Sequence, residues 1–211
     1  MKSKVVAFFS SVRLRFEKVV SLYYDLLGRV EMVVIKIREV DSEIGCSRVL
    51  PSLIVQKMLV VAEDKRFWSH PGFDILAILR SIAFTAAGRS QGGSTVIQQL
   101  VRIITGRYER TIRRKVEEIF VAYHVSKALD RSIFLRVYLS MAYYGTGMEG
   151  FDKFIDKKML FHIGDLDLAT MAVARLKYPE PSRVSERRFD QIRRREAYLV
   201  LRFNAFKNKE V

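Results

Sequence analysis

The sequence predicts a mainly α-helical fold, and three observations carry that expectation. Apolar residues recur at alternating spacings of three and four over long stretches. Strand-like alternation is scarce, and the chain of 211 residues holds only 4 prolines and 11 glycines. Helix start and stop signals punctuate the periodic segments. The length suffices for one domain with a real core, and no internal repeat or low-complexity tract divides it.

The first element is the N-terminal segment, residues 1–42. Val5, Phe9, Val12, Phe16, Val19, Tyr23, Leu26, Val30, Val33 and Ile37 fall along one helical face. Lys2, Lys4, Arg13, Arg15, Lys18 and Arg29 add positive charge. Such a helix either lies in an anionic membrane interface, here through residues 4–37, or packs on its own domain or a partner helix. Gly28 is a point where it could break. No uncharged apolar run reaches the ~18 residues a membrane span needs. The stretch Val5 to Val12 is too short for a signal peptide and is followed by Arg13 and Arg15 rather than a cleavage site.

Residues 43–211 form the main domain. Asp41 to Ser47 reads as a polar connection. Pro51 to Ala62 reads as a helix with proline in its first turn. Glu63 to Asp74 is mixed polar and aromatic, with a turn at Pro71-Gly72. Asp74 can cap a helix from Ile75 to about Ala87, which Gly88 ends. After a loop from Gly88 to Gly93, Thr95 and Gln98 have capping-box spacing, so a helix starts there and runs to about Thr105. Glu109 to Leu129 and Ser132 to Tyr144 read as two further helices, and Gly145, Gly147 and Gly150 mark a loop. Asp167 to Leu176 is another helix, and Phe189 to Phe206 a final basic one.

Composition narrows the function. Lys and Arg number 37 against 23 Asp and Glu, a net charge of +14, which favours nucleic acid, anionic lipid or a phosphorylated substrate. No zinc-finger spacing or RNA-binding motif is visible. The nine basic residues from Arg183 to Lys209 are interleaved with Glu186, Asp190 and Glu196, as on a solvated helix, so no nucleic-acid partner is expected. Cys46 is the only cysteine, which excludes an intrachain disulfide.

Three clusters could carry chemistry. In Glu63-Asp64-Lys65-Arg66-Phe67-Trp68-Ser69-His70, carboxylates sit close to aromatic and imidazole groups, a composition suited to proton transfer. In Gly92-Gly93-Ser94-Thr95, glycines and hydroxyls open a helix whose free N–H groups suit phosphate, and Gln99 and Arg102 share its face. Glu118 lies four after Arg114 and three after Lys115, so all three converge on one face. Each cluster alone also fits a bland reading: a solvated helix end, a capped helix, a surface ion pair.

Their order and spacing resemble the first three motifs of family 51 glycosyltransferases. These include monofunctional peptidoglycan transglycosylases and the glycosyltransferase module of class A penicillin-binding proteins. Tyr138-Leu139 through Tyr143, Gly145, Gly147 and Gly150 resemble the fourth motif, and Arg194-Arg195 with Tyr198 to Leu201 the C-terminal helix. The resemblance covers roughly residues 45 to 205. The pattern departs at Ile97 for Thr, Arg102 for Lys, Asp130-Arg131 for Ser-Lys, Arg136 for Glu, Thr170 for Glu, and along Met159 to His162.

The resemblance implies a lysozyme-like helical head with a smaller membrane-facing jaw. It implies a peptidoglycan glycosyltransferase that polymerises lipid II into β-1,4-linked glycan strands, inverting the donor anomeric carbon and releasing undecaprenyl pyrophosphate. Glu63 would be the general base, and Glu118 the second catalytic carboxylate, assisting the pyrophosphate directly or through a bound cation. Arg102, Arg114 and Lys115 would neutralise that anion. Ser94, Thr95 and Gln99 would line the donor site, and Asp64, Phe67 and His70 would shape the first motif. The implied partners are lipid II, the growing strand, the membrane surface and other cell-wall synthesis proteins. The implied place is the outer, periplasmic face of the bacterial cytoplasmic membrane, peripheral or anchored by a segment outside this sequence. No metal-ligand set is expected, and a divalent cation at the pyrophosphate is compatible. The alternative is a module of the same fold that binds lipid II or partners with little turnover.

Overall fold

A computed structural model describes residues 2–45, 49–89, 92–160, 162–183 and 185–210, with side chains from residue 14 to residue 208 in those ranges. The mainly α expectation holds: among the described residues there are nine helices and no strand, only isolated bridges between Tyr143 and Glu149 and between Gly145 and Glu180.

The first helix, α1 (Lys2–Ile44), is unbroken at Gly28, whose missing side chain would point into open space. One glycine costs a helix only about 1 kcal/mol, and packing on both sides of it outweighs that. The polar connection expected from Asp41 does not begin there. Val40 and Ile44 extend the apolar spacing and are buried, which keeps the chain helical to Ile44. Cys46 and Ser47 lie outside the described residues, as do the side chains of Lys2, Lys4, Val5, Phe9, Val12 and Arg13. The long apolar stripe divides in two. Leu26, Val33, Ile37, Val40 and Ile44 are buried in the domain core, whereas Phe16, Val19 and Tyr23 are exposed.

The core gathers around α2 (Leu53–Glu63), α4 (Val96–Thr105), α5 (Ile112–Ala128), α6 (Arg131–Met141) and α8 (Asp165–Lys177). In space, α1 packs on α4, α5 and α6, α4 touches both α5 and α6, and α2 packs on α8 and on α9 (Glu186–Glu210). Arg175 on α8 is buried and binds Glu180 and, at 2.9 Å, Glu196 of α9. Arg136 of α6 donates to Asp41 of α1, one bond measuring 2.9 Å. That departure from the family pattern therefore serves as an interhelical tie.

Several boundaries differ from the sequence reading. Helix α5 starts at Ile112 rather than Glu109, because Thr111 caps it, its hydroxyl accepting from the Arg114 N–H at 3.2 Å. Helix α6 ends at Met141 rather than Tyr144. The Tyr144 side chain is fully buried beside Phe151 and Phe154, and its hydroxyl donates to the Leu139 carbonyl at 2.8 Å. Burying that ring directs the chain out of the helix. The short α7 (Phe151–Lys158) buries Phe151, Phe154 and Ile155 and had no counterpart in the sequence reading.

Helix α3 (Ile75–Ala86) is the exception to core packing. Asp74 caps it, accepting from the Ala77 N–H at 3.1 Å, yet none of its residues is buried. Ile75, Leu76, Leu79 and Ile82 are all more than half exposed.

The division of α1 has a direct test. Ile37 has no solvent exposure, and Ile→Ala in a packed core costs about 2–5 kcal/mol. Ile37→Ala should lower the thermal midpoint sharply, and deleting residues 2–40 should unfold the domain. Phe16→Ser with Val19→Ser should leave the midpoint nearly unchanged, because both side chains are exposed. Thermal circular dichroism measures all three, and a folded, stable protein lacking residues 2–40 would contradict the packing.

Candidate active site

The site is framed by one buried carboxylate. Asp64 ends α2, and its side chain accepts from the Val96 N–H at 3.0 Å, where α4 begins with unpaired donors. The same carboxylate bonds His70 Nε2 at 2.9 Å. Thr95 forms the expected capping box with Gln98, and its hydroxyl donates to the Gly72 carbonyl at 2.7 Å. Gly72 has φ +90°, and a Cβ there would lie 2.4 Å from the Ala122 carbonyl oxygen of α5, so only glycine fits. Phe67 is buried edge-on to Trp68 and His70. Arg131 donates its guanidinium to the Phe67 and His70 carbonyls. Asp64, Phe67, His70 and Thr95 thus form the buried frame that pins residues 64–72 against α4, α5 and α6. Arg131, read from sequence only as a departure, is one of its pins.

What the frame leaves open is Glu63, at the edge of a cleft of about 620 Å³. Glu63, Gly92, Gly93, Ser94, Ala77, Arg80, Arg195 and Tyr198 contribute to its lining. Phe67, Trp68 and His70, close to Glu63 in sequence, are not among the lining residues. The partner of Glu63 is Arg195 of α9, whose Nη2 donates to Oε1 at 3.0 Å from 132 residues away. Sequence reading missed that role, although it singled out the Arg194-Arg195 pair. Gly93 passes α3 so closely that a Cβ would lie 2.8 Å from Ser81 Cβ. The glycine loop therefore abuts α3.

Outside the cleft lining, but linked to it through cations that reach Ser94, is Glu118, with its side chain 3% exposed. Arg102 donates to both of its oxygens, at 3.0 and 3.2 Å. Lys115 donates at 2.7 Å and Arg114 donates as well. Burial alone would raise the Glu118 pKa, but hydrogen bonds and charges from Arg102 and Lys115 hold it below its ordinary value. Burial lowers the Lys115 pKa, partly offset by Glu118. Ser94 Oγ accepts from Lys115 at 2.7 Å and from Arg102 at 3.4 Å, so the cleft-lining hydroxyl touches the cations that surround Glu118. Gln98 accepts from Lys115 at 3.3 Å, and its Nε2 is buried without a partner. Gln99 accepts from the Tyr138 hydroxyl at 2.8 Å. Burial raises the Tyr138 pKa, with the Glu63 charge adding to the rise and Arg102 opposing it. Tyr138 thus lies within electrostatic reach of both halves of the site.

A further buried carboxylate, Glu117, was not anticipated. Arg29 of α1 donates to it at 2.8 Å, Arg113 at 2.9 Å, and Arg107 also donates. Burial would raise the Glu117 pKa, but the hydrogen bonds from Arg107, Arg113 and Arg29 pull it down to about 2. The Arg113–Glu117 spacing was legible, but Arg29 and Arg107 reach it only through the tertiary fold.

Among the described residues no group of three or more His, Cys, Asp or Glu side chains is placed to hold a metal. A cation does not fit beside Glu118 either, because both its oxygens are taken by cationic side chains. The arrangement offers a carboxylate open to a cleft and, across Ser94, an array of cations. It suits proton removal on one side and stabilisation of a departing anion on the other.

A family model described as Transglycosylase matches residues 34–204. Penicillin-binding protein 1A of Rickettsia typhi is 26% identical over 159 residues, covering 72% of this chain and 20% of that protein. Penicillin-binding protein 1A of Aquifex aeolicus is 35% identical over 116 residues, 54% of this chain and 16% of that protein. A monofunctional glycosyltransferase of Staphylococcus saprophyticus is 40% identical over 88 residues, 41% of this chain and 33% of that protein. The chain spans about a fifth of the length of the Rickettsia penicillin-binding proteins it matches.

The Glu117 cluster generates a pH prediction. Its pKa falls from 4.5 to about 2, so its stabilisation is complete above about pH 4.5 and is lost as pH falls toward 2. Glu117→Gln should therefore melt well below the parent at neutral pH, and that gap should close between pH 4.5 and 2. Thermal midpoints measured across this range check it; a gap independent of pH would contradict the assignment.

Proposed function

The chain belongs to the transglycosylase family, and on that premise we propose that it is a peptidoglycan glycosyltransferase that polymerises lipid II. The observation that carries the proposal is the cleft itself, lined by both Glu63 and Ser94, with Arg102 and Lys115 bonded to the Ser94 hydroxyl. Glu63 takes the proton from the 4-hydroxyl of the acceptor N-acetylglucosamine. The freed oxygen attacks the donor anomeric carbon from the face opposite the pyrophosphate. The bond from that carbon to the pyrophosphate oxygen breaks, undecaprenyl pyrophosphate leaves with the electron pair, and the new β-1,4 link has inverted configuration. Arg195 orients the Glu63 carboxylate. Arg102, Arg114 and Lys115 receive the developing charge. Glu118 acts through them, as a positioning residue that holds three cations at one point.

The substrate's lipid would keep the cleft at a bilayer surface. No described helix is long and apolar enough to cross a membrane. Helix α3 borders the cleft through Ala77 and Arg80 and exposes Ile75, Leu76, Leu79 and Ile82. Phe16, Val19 and Tyr23 of α1 are exposed beside Arg15 and Lys18. These two surfaces would enter the outer leaflet interface of the cytoplasmic membrane, facing the periplasm, where other cell-wall synthesis proteins would be met.

Glu63→Gln is nearly isosteric and should fold. General-base catalysis is typically worth ~10²–10⁴-fold, so polymerisation of labelled lipid II, read by gel, should nearly vanish while lipid II binding changes little. A near-parental rate would refute the mechanism. A folded parent that binds lipid II but never polymerises it would instead be a binding module.

The membrane reading has its own test. Burying a Leu or Ile side chain is worth about 1.5–3 kcal/mol, so Leu79→Glu with Ile82→Glu should weaken sedimentation with anionic vesicles by tenfold or more, roughly. The thermal midpoint should hold, because both side chains are exposed. Unchanged vesicle binding would contradict the assignment of α3.

A further inference from the structure

Two buried carboxylates follow one another on α5 and divide six cations between them. Consecutive residues of a helix point about 100° apart, so Glu117 and Glu118 face different neighbours. Glu118 holds Arg102, Arg114 and Lys115. Glu117 holds Arg29 from α1 at 2.8 Å, Arg113 from its own helix at 2.9 Å, and Arg107 from the connection between α4 and α5. Among the described residues no cation bonds both carboxylates. The two sets nevertheless meet. Arg29, Arg107, Arg114, Glu117 and Glu118 border one cavity of about 20 Å³, room for roughly one water molecule. With so little water between them, charges on one side of that cavity act on the other.

We propose that Glu117 is a positioning residue: it keeps Arg29 and Arg107 off Glu118, so that Glu118 retains Lys115 beside Ser94. Without the Glu117 charge, Arg107 keeps only Glu109, at 3.6 Å, and Arg29 keeps no carboxylate among the described residues. The next carboxylate across the cavity is Glu118. Glu118 has no oxygen to spare, because Arg102 bonds both and Arg114 and Lys115 bond one each. A further guanidinium must therefore displace a donor. A planar guanidinium can bond both oxygens of a carboxylate and an ammonium cannot, so Lys115 is the donor that yields. Lys115 also donates to the Ser94 hydroxyl at 2.7 Å, and its displacement moves a cation away from the cleft wall. That Lys115 serves a departing anion rests on the transferase reading; the sorting of cations does not.

The test is acetic anhydride labelling of Lys115 in the full chain, read by mass spectrometry, with circular dichroism to confirm folding. Burial lowers the Lys115 pKa and Glu118 offsets that shift, so a lysine displaced from Glu118 holds more neutral, reactive amine. Glu117→Gln should label several times faster at Lys115 than the parent. Adding Arg29→Met and Arg107→Met removes the competing cations and should return labelling to the parental rate. A mere brace between α1 and α5 behaves oppositely, since removing more of it loosens Lys115 further. Unchanged labelling in Glu117→Gln, or a raised rate that persists in the triple variant, overturns the proposal. If Glu117→Gln does not fold, the triple variant decides: folded with parental labelling it supports the sorting, and unfolded or fast-labelling it overturns it. Lipid II turnover is the second arm. Glu117→Gln should lose roughly tenfold or more in kcat with KM little changed, and the triple variant should recover it. Fast labelling with unchanged kcat overturns the positioning role. A parent and variants that label as expected but never polymerise lipid II overturn the transferase reading and leave the sorting standing.

Discussion

Three cationic side chains close on one buried carboxylate: Arg102 from α4, and Arg114 and Lys115 from α5, all on Glu118. Taking a carboxylate out of water is costly, and here the cost is offset only because every oxygen of Glu118 meets a charged donor. The arrangement leaves a surplus of positive charge at a fixed point. It locks α4 to α5, and through Lys115 and Arg102 it reaches Ser94 at the cleft wall. Without it those cations would repel one another, and the stabilisation proposed for the departing anion would be lost. An ion pair with no net charge would be a structural brace; one carboxylate among three cations is an electrostatic device as well.

The other polar contacts hold that device in relation to Glu63. Asp64 joins the end of α2 to the start of α4, so the open carboxylate one residue earlier is fixed relative to the helix that carries Arg102. Arg131 draws the turn between them onto α6. Arg29 and Arg136 tie α1 to α5 and α6 through Glu117 and Asp41. A helix whose residues 14–19 are exposed is thereby made part of the core that carries the site. Residues that depart from the family's pattern, Arg131 and Arg136 among them, have structural partners here.

What the sequence disclosed was mostly local. The capping box at Thr95, the cap at Asp74 and the convergence of Glu118 with Arg114 and Lys115 all lie within one helical turn, where spacing alone decides who meets whom. The continuous apolar stripe of α1 was legible, but not its division, since spacing does not say where a neighbouring helix ends. Arg195 on Glu63 and Arg29 on Glu117 are contacts across 132 and 88 residues, which no local pattern encodes. Helix α7 was hidden by its brevity, and the early end of α6 by a tyrosine that continues the helical pattern while filling the core.

The measurement that bears most directly on the Glu118 cluster is the turnover of lipid II by Glu118→Gln, with circular dichroism to confirm folding. The amide keeps the shape of the carboxylate and removes the charge that gathers Arg102, Arg114 and Lys115. If those cations stabilise the leaving pyrophosphate from positions that Glu118 holds, a folded Glu118→Gln protein loses both turnover and much of its affinity for pyrophosphate. Near-parental turnover in the folded variant would contradict the mechanism.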